Sequence, residues 1–512
     1  MATFTYQPAL RPALPCVYGP LDYREQRALF ERIDLILTIS GLEQDFINIA
    51  LADRKIDTDA TSAKRLDRFA RLSVLALRSN LARMLTGLSH RDFCARLADS
   101  PLLQWFLHVG EVDAVKVFSK SSSDRIGQWV SEESLRVINQ NFTALLAASQ
   151  PNDGGGEPPS AAFGLPAPIS LDNVYFDSTC LKADIHFPTD WVLLRDAART
   201  LMKATVLIRK HGLKKRMPQQ PLEFLSEMNS LCMKMTARRH AADSRKQRKK
   251  VLREMKTLEK RIARHAKAHL AALEARRHET SLGEGAARQI INRINNMLGQ
   301  LPAAIRQAHE RMIGGRKLAN EDKILSLYDD SVNVIKRGKA GAAVEFGNKL
   351  WLGENRDGII VDYKLYQDNP SDATLAKPAL KRLVDDQGLE VKQVWGDRGL
   401  TSQVNSAMLE RRKIGDGFCP RDVSELSDRL ANEPGFRQGL KRRAGTEARI
   451  GIFKNVFLGR PLLARGFKHR ELAVGWATLT HNLWVVARMA EAEKKRQENQ
   501  KPQAPPPQAR AA

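Results

Sequence analysis

Strand-like segments in this sequence fall into two groups, and a long stretch of helical periodicity separates them. The first group is Asn173-Val174-Tyr175-Phe176-Asp177-Ser178-Thr179-Cys180, a short apolar run holding one carboxylate, which predicts a core strand. Asp184-Ile185-His186-Phe187 is expected to extend it, and Pro188-Thr189-Asp190 to start a helix. The second group begins after residue 320 with a short segment at 324–328. Val344, Phe346, Leu350 and Leu352 then alternate with Glu345, Gly347, Lys349 and Trp351. The loop that follows ends in Asp357-Gly358 and leads into Ile359-Ile360-Val361-Asp362-Tyr363, which predicts a hairpin. Val391-Lys392-Gln393-Val394-Trp395-Gly396-Asp397 is a further strand ending in a carboxylate. Strands and helices on both sides of a long helical stretch predict an α/β fold, a mixed sheet flanked by helices and interrupted by a helical insertion.

Upstream of the first strand, residues 21–149 read as an all-helical domain, with apolar residues recurring through Leu72, Leu75, Leu77, Leu81, Leu85 and Leu88. Ser89 is expected to cap the helix carrying Phe93 and Leu97, and the run from Ser119 to Arg125 precedes another with Ile126, Trp129 and Val130. Short helices with polar, basic N-termini after tight turns are compatible with a DNA reader of the helix-turn-helix kind, and equally with many helical domains. Residues 1–20 form an N-terminal arm, and the Gly- and Pro-rich segment 150–169 is a linker. The sheet domain is then expected over 170–202 and 321–490, with a basic helical insertion at 203–320. Residues 491–512, which include Pro505-Pro506-Pro507, are expected to be a disordered tail.

Charge narrows the partner. The chain has 82 Lys+Arg against 58 Asp+Glu, a formal net charge of +24, which favours a polyanion, nucleic acid before an anionic membrane surface. No apolar run is long enough to span a bilayer, so no membrane partner is expected. The stretch 238–264 concentrates this charge, with Arg245, Lys246, Arg248, Lys249 and Lys250 at its centre and only Asp243, Glu254 and Glu259 opposing. It reads as a solvated helical face or a phosphate-tracking surface, and the scarcity of acids favours the second. The five cysteines are scattered, without a CxxC pair or zinc spacing, and the N-terminus lacks a secretory pattern. A cytoplasmic, nucleoid-associated protein is expected.

Three carboxylates stand where chemistry would use them: Asp177 on the first strand, Asp397 ending a later one, and Glu447 in a basic helix near the C-terminus. A carboxylate on a buried strand is costly unless it meets a cation or a partner. Phosphoryl-transfer sites use such groups to hold two Mg²⁺ ions roughly 3.5–4 Å apart. The third has the most informative surroundings, Arg443-x₃-Glu447-x₆-Lys454. At 100° per residue these three side chains fall within about 40° of one another, one carboxylate and two cations on a single stripe. An ordinary Arg–Glu surface pair would account for the first two and leave Lys454 unexplained.

These residues resemble the DDE transposases of bacterial insertion sequences. The likeness rests on Phe176-Asp177-Ser178-Thr179, on Asp397-Arg398-Gly399-Leu400 and on Arg443-x₃-Glu447-x₆-Lys454. Residues 185–190, 338–349, 481–484 and 87–93 are also similar, so it spans about 60–490. One departure is Leu440, where the family's fuller signature often has tyrosine. The resemblance implies an RNase H-like catalytic domain in which Asp177, Asp397 and Glu447 coordinate two Mg²⁺ ions, Mn²⁺ being able to substitute. Arg443 and Lys454 would hold end phosphates, and the protein would act on element ends and target DNA as a homodimer or higher assembly. The long insertion here lies between the two aspartates rather than before the glutamate. A nuclease that cleaves without joining, and a transposase-derived DNA-binding protein without catalysis, are the alternatives. An RNA-binding protein is disfavoured by 6% aromatic residues and no visible stacking platform. Among other acids, Asp190 reads as a helix N-terminal residue and Asp184 as a strand-end group. Glu345 and Asp362 stand on the hairpin near the site, and His186 and His481 read as structural.

Overall fold

The computed structural model describes residues 4–7, 13–14, 16–109, 115–149, 158–237, 244–339, 342–459 and 461–500. The chain is mixed α/β, and it divides into two compact units, Met1–Lys182 with Lys349–Ala512, and Ala183–Asn348.

In the first unit, helices α1 (Leu21–Ile39), α2 (Leu42–Asp53), α3 (Ala63–Thr86), α4 (His90–Asp99), α5 (Pro101–Leu107), α6 (Lys120–Gly127), α7 (Glu132–Ala147) and the short α8 (Pro159–Ala162) precede strand β1 (Asn173–Lys182). Ser89 caps α4 by accepting from the Asp92 amide, and Ser119 caps α6 through the Ser122 amide, as these residues do where the first helical N–H groups lack partners. Trp129 and Val130 lie beyond the end of α6. On α3, Leu77 and Leu81 are buried, whereas Leu72 is exposed.

These helices do not form a separate N-terminal domain. Phe30, Phe46, Leu81, Phe93 and Phe142 belong to one continuous core with Phe176 of β1 and with Trp351 and Tyr363 farther along the chain. Helix α7 is tied in by polar bonds as well. Asn482 accepts from the Ile360 amide at 2.8 Å and donates to the Ile360 carbonyl and to Asn139 Oδ1, each at 2.8 Å.

The second unit holds α9 (Asp190–Lys210), α10 (Pro221–Ala237), α11 (Ser244–Arg276) and α12 (Glu284–Met312), followed by β2 (Asn333–Lys339) and the start of β3 (Ala342–Glu354). Its own core joins Leu194, Leu201 and Ile208 of α9 to Phe224, Met255, Ile262 and Ile294. The expected insertion at 203–320 is therefore wider, because the apolar face of α9 is buried within this helical unit. Residues 184–187 do not prolong β1, since the Ile185 amide folds back on the Ala183 carbonyl at 2.9 Å. Residues 324–328 are not a strand either. The Ile324 amide is taken by Gln307 Oε1 and the Tyr328 amide by Ser326 Oγ, so side chains satisfy the backbone in place of a ladder. Strand β2, a polar segment that the sequence did not flag, pairs antiparallel with the first half of β3.

The first unit continues with β4 (Ile360–Tyr366), α13 (Ala376–Leu380), β5 (Gln393–Gly396), α14 (Gln403–Arg411), β6 (Gly415–Phe418), α15 (Val423–Asn432), α16 (Phe436–Ile452) and α17 (Phe467–Gln500). Among the described residues the strand order is β2-β3-β1-β5-β6, with β4 also on β3. β3 and β4 are antiparallel, joined through Asp357-Gly358 as expected, whereas β1 runs parallel to β5 and β5 to β6. Helix α17 reaches Gln500, into the span expected to be tail. Glu491–Lys495 and Glu493–Arg496 pairs at helical spacing favour its continuation, and the prolines lie outside the described residues. Part of the 150–169 linker, the start of the basic stretch at 238–243 and residues 340–341 also lie outside them. No single helix among the described residues is long and apolar enough to cross a membrane.

Candidate functional site

Successive side chains of a strand point to opposite faces, and β1 uses this to separate core from chemistry. Val174 and Phe176 face the apolar core, where Phe176 meets Trp351 with ring centroids 4.9 Å apart. Tyr175, Asp177 and Thr179 occupy the other face. Tyr175 stacks on Trp395 of β5 at 6.0 Å, and Arg442 of α16 lies over the Tyr175 ring at 4.6 Å.

Strand β5 brings the second aspartate alongside. The parallel register pairs Val174 with Val394 and Tyr175 with Trp395. Continued by two residues, it sets Asp177 beside Asp397. The Gly399 amide donates to Asp397 Oδ1 at 2.9 Å, fixing that carboxylate in the turn after the strand.

Helix α16 contributes the third acid, and two features hold the helix in place. Gly439 permits the helix to approach β5, because a Cβ there would fall 1.9 Å from the Trp395 ring. A buried carboxylate, Glu354 at the end of β3, then collects three side chains from one stripe of α16. Arg442 Nη1 donates to Glu354 Oε1 at 3.0 Å, Thr446 Oγ1 at 2.8 Å and Arg449 Nε at 3.0 Å. Arg442 also donates to the carbonyls of Asn355 and Arg356 at 2.9 and 2.7 Å. Residues 442, 446 and 449 share one face of a helix, and Arg443 and Glu447 lie roughly 100° around from it. The brace thus aims the second stripe while leaving it unengaged. Glu447 is exposed, and Arg443 Nε is buried without a hydrogen-bond partner among the described residues.

Electrostatics ties the group together. Burial pushes the half-buried Asp177 carboxyl up to about 6, and the negative charge of Asp397 adds to this. Arg443 and the Ser178 amide, which donates to Asp177 Oδ1 at 2.7 Å, pull it down, and Glu447 raises it further. Asp397, Arg443 and Glu447 therefore all lie close enough to act on Asp177. Among the described residues no three His, Cys, Asp or Glu side chains already stand at coordination spacing, so this is an electrostatic grouping rather than a closed ligand sphere.

Lys454 differs from the expectation of a phosphate contact. The helix widens into a π-turn at Phe453–Leu458, and Lys454 is buried there. Its Nζ donates to Thr179 Oγ1 at 3.0 Å and to the Cys180 carbonyl at 2.5 Å, so it fastens this segment to β1. The remaining expected DNA contacts lie on α11 in the other unit. There Arg245, Lys246 and Lys250 are exposed, and Arg248 and Lys249 are half-buried.

One acid near the site was not singled out in the sequence. The position that a Gly399 Cβ would take is 3.0 Å from Asp397 Oδ1 and 3.4 Å from Asp372 Oδ2. Asp372 accepts from Ser178 Oγ at 2.8 Å and from Lys349 Nζ at 2.9 Å. In sequence it follows Pro370-Ser371 and reads as a turn residue, which hides it. Asp362 is engaged elsewhere, bonded to Arg382 at 2.6 and 2.7 Å and to Trp351 Nε1 at 3.0 Å. Asp190 opens α9 and bonds Gln307 and Arg311, while Asp184 and His186 are exposed. His481 is buried between Phe453, Phe457 and Trp484, and burial lowers it to about 4. Compared with family models, with curated proteins and with solved structures, the chain matches none.

Proposed function

We propose that this chain is a DDE-type transposase that cuts the ends of a DNA element and joins them to target DNA. The observation that carries the reading is the parallel register that sets Asp177 beside Asp397, with Glu447 and Arg443 of α16 near enough to act electrostatically on Asp177. They come from two adjacent parallel strands and one helix. A mixed sheet of order β2-β3-β1-β5-β6 with β4 also on β3, antiparallel between β3 and both β2 and β4 and parallel from β1 through β5 to β6, supports an RNase H-like reading of the catalytic domain. The net charge of +24 suits a duplex DNA partner, which the protein would engage as a homodimer or higher assembly.

The donor set is all oxygen and anionic, which fits Mg²⁺ or Mn²⁺ rather than softer ions. Burial first, and then the negative charges of Asp397 and Glu447, hold Asp177 up to about 6, and a cation beside these carboxylates offsets both. Bound there, a metal pair supplies Lewis acidity to the scissile phosphate and acidifies the attacking water. Asp177 and Asp397 hold that charge from the sheet side and Glu447 from the helix side. Arg443, its Nε unpartnered, donates to a non-bridging phosphate oxygen. In cleavage the water oxygen bonds to phosphorus as the P–O3′ bond breaks, and the departing oxygen takes a proton to leave a 3′-OH. In joining, that hydroxyl attacks a target phosphate and displaces the target's own 3′ oxygen.

The test is Mg²⁺- or Mn²⁺-dependent cleavage and strand transfer on the DNA flanking the gene. Wild type is compared with Asp177→Asn, Asp397→Asn and Glu447→Gln, each checked for folding. Joining that is lost in all three variants is the expected result. Cleavage of the ends without joining of a pre-cut 3′-OH would replace the reading by a nuclease. Binding without cleavage would replace it by a DNA-binding protein.

A further inference from the structure

The helical unit carries a second concave site whose chemistry is the opposite of the carboxylate cluster. Residues from the start of α9, from α11, from the end of α12 and from the chain after it line an open concavity of about 470 Å³. Its charged lining is Arg248, Arg311, Arg316, Lys317 and Lys323 against one acid, Asp190. Two of these cations are neutralised. Arg311 pairs with Asp190 at 2.8 Å and Arg316 with Glu310 at 2.8 Å.

The other three have no carboxylate partner among the described residues. Arg248 lies over the Trp191 ring at 4.9 Å, which fixes its guanidinium against an aromatic wall. Its Nε is shut off from solvent and has no hydrogen-bond partner among the described residues. Lys317 is exposed, and Lys323 donates to Asn320 Oδ1 at 2.6 Å, a neutral acceptor. The backbone is shaped to bring these groups together. Gly315, at φ +71°, turns the chain after α12, and the Arg316 amide returns to the Glu310 carbonyl at 3.0 Å.

Like charges crowded into a concavity repel one another, and an anion relieves them. Guanidinium and ammonium donors in this arrangement suit phosphate oxygens. The space exceeds what phosphate alone needs, and Trp191, Met312 and Leu318 give it an apolar side against which a sugar can lie.

We infer that this pocket is a phosphate site that takes a phosphate–sugar unit of a DNA strand, with Arg248, Lys317 and Lys323 as its cations. The DNA source rests on the reading of the chain as a DNA-processing enzyme. The pocket itself rests only on the geometry within this unit.

The experiment uses the full chain and a duplex of arbitrary sequence. Affinity is measured as a function of salt for wild type, for Lys317→Glu and for Arg248→Gln/Lys317→Gln/Lys323→Gln. Circular dichroism and melting temperature verify folding. Lys317 is exposed, so its charge reversal gives a variant that folds. Each phosphate contact contributes about 0.9 to the slope of log affinity against log salt. The triple variant is expected to flatten that slope by about one unit or more and to weaken binding about tenfold at 0.15 M salt. Lys317→Glu is expected to shift both in the same direction. Wild-type slope and affinity in both variants would overturn the pocket while leaving DNA binding, and so the proposed function, intact. Inorganic pyrophosphate separates the sources. If wild type binds it, loses it in the triple variant and fails to bind duplex, the phosphate site stands and both the DNA source and the transposase reading fall.

Discussion

Glu354 offers the sharpest test of how the candidate site is held. Its carboxylate is 5% exposed and meets Arg442 and Arg449, which are 18% and 30% exposed. Glu354→Gln keeps the shape, removes the charge and turns amide hydrogens toward guanidinium donors. Breaking a buried ion pair by removing one partner costs about 3–5 kcal/mol. Arg442 retains the carbonyls of Asn355 and Arg356, and Arg449 is partly solvated. The lower end therefore applies, about 3 kcal/mol, or roughly a hundredfold in the unfolding equilibrium. Urea denaturation followed by tryptophan fluorescence reads this. A cycle with Arg449→Gln should show non-additivity above about 1 kcal/mol. Strand transfer should fall by about 10²-fold well below the unfolding transition, because a displacement of α16 near 1 Å misplaces Glu447 and Arg443. Glu354 acts here only through the helix it positions. Stability within about 0.5 kcal/mol of wild type, the range of an ordinary surface substitution, would refute the brace.

Glu259 makes the stability of the helical unit depend on pH. It is fully buried, neither carboxyl oxygen has a hydrogen-bond partner among the described residues, and burial pushes it up from 4.5 to about 8. Between those values the folded state holds a proton that the unfolded state has lost, so stability falls as pH rises from 4.5 towards 8. At pH 7 the cost is about 3 kcal/mol. Glu259→Leu should raise stability at pH 7 and flatten the pH profile of unfolding, and an unchanged profile would count against it. Lys454→Ala should lower stability by about 2–3 kcal/mol, since it strips a buried cation's bonds to Thr179 and Cys180. It should leave the salt dependence of DNA binding unaltered, and a shallower slope at wild-type stability would restore it as a phosphate contact.

The acids of β1 and β5 were legible because a carboxylate inside or at the end of an apolar run is costly without a purpose. The hairpin was legible because alternation and Asp-Gly are local signals. What stayed hidden depends on residues far apart in the chain. Glu354 meets Thr446 across 92 positions, and nothing near Glu354 in sequence distinguishes it from a loop acid. Glu259 was counted among the acids opposing a basic run, which is what composition sees. Its register says otherwise, since Met255, Glu259, Ile262 and Ala266 recur at helical spacing and all are buried. The N-terminal helices looked like a domain of their own because a Gly- and Pro-rich segment follows them. Periodicity shows that a face is apolar but not what it packs against.

The same distinction governs the arginines of α16. Arg442, Arg443 and Arg449 are equivalent to composition, and an ideal helix puts Arg443, Glu447 and Lys454 on one stripe. In the folded chain Arg442 and Arg449 spend their donors on Glu354 and nearby carbonyls, while Arg443 has none of these partners. A helix that must present one carboxylate and one cation to a substrate has to be fixed by its other faces, or each charge would seek the nearest partner. Glu354 holds one end of the stripe and Lys454 holds the other against β1. The ideal-helix stripe therefore joined two residues available for chemistry to a third that anchors them. The change from α to π winding at Phe453 separates the two roles.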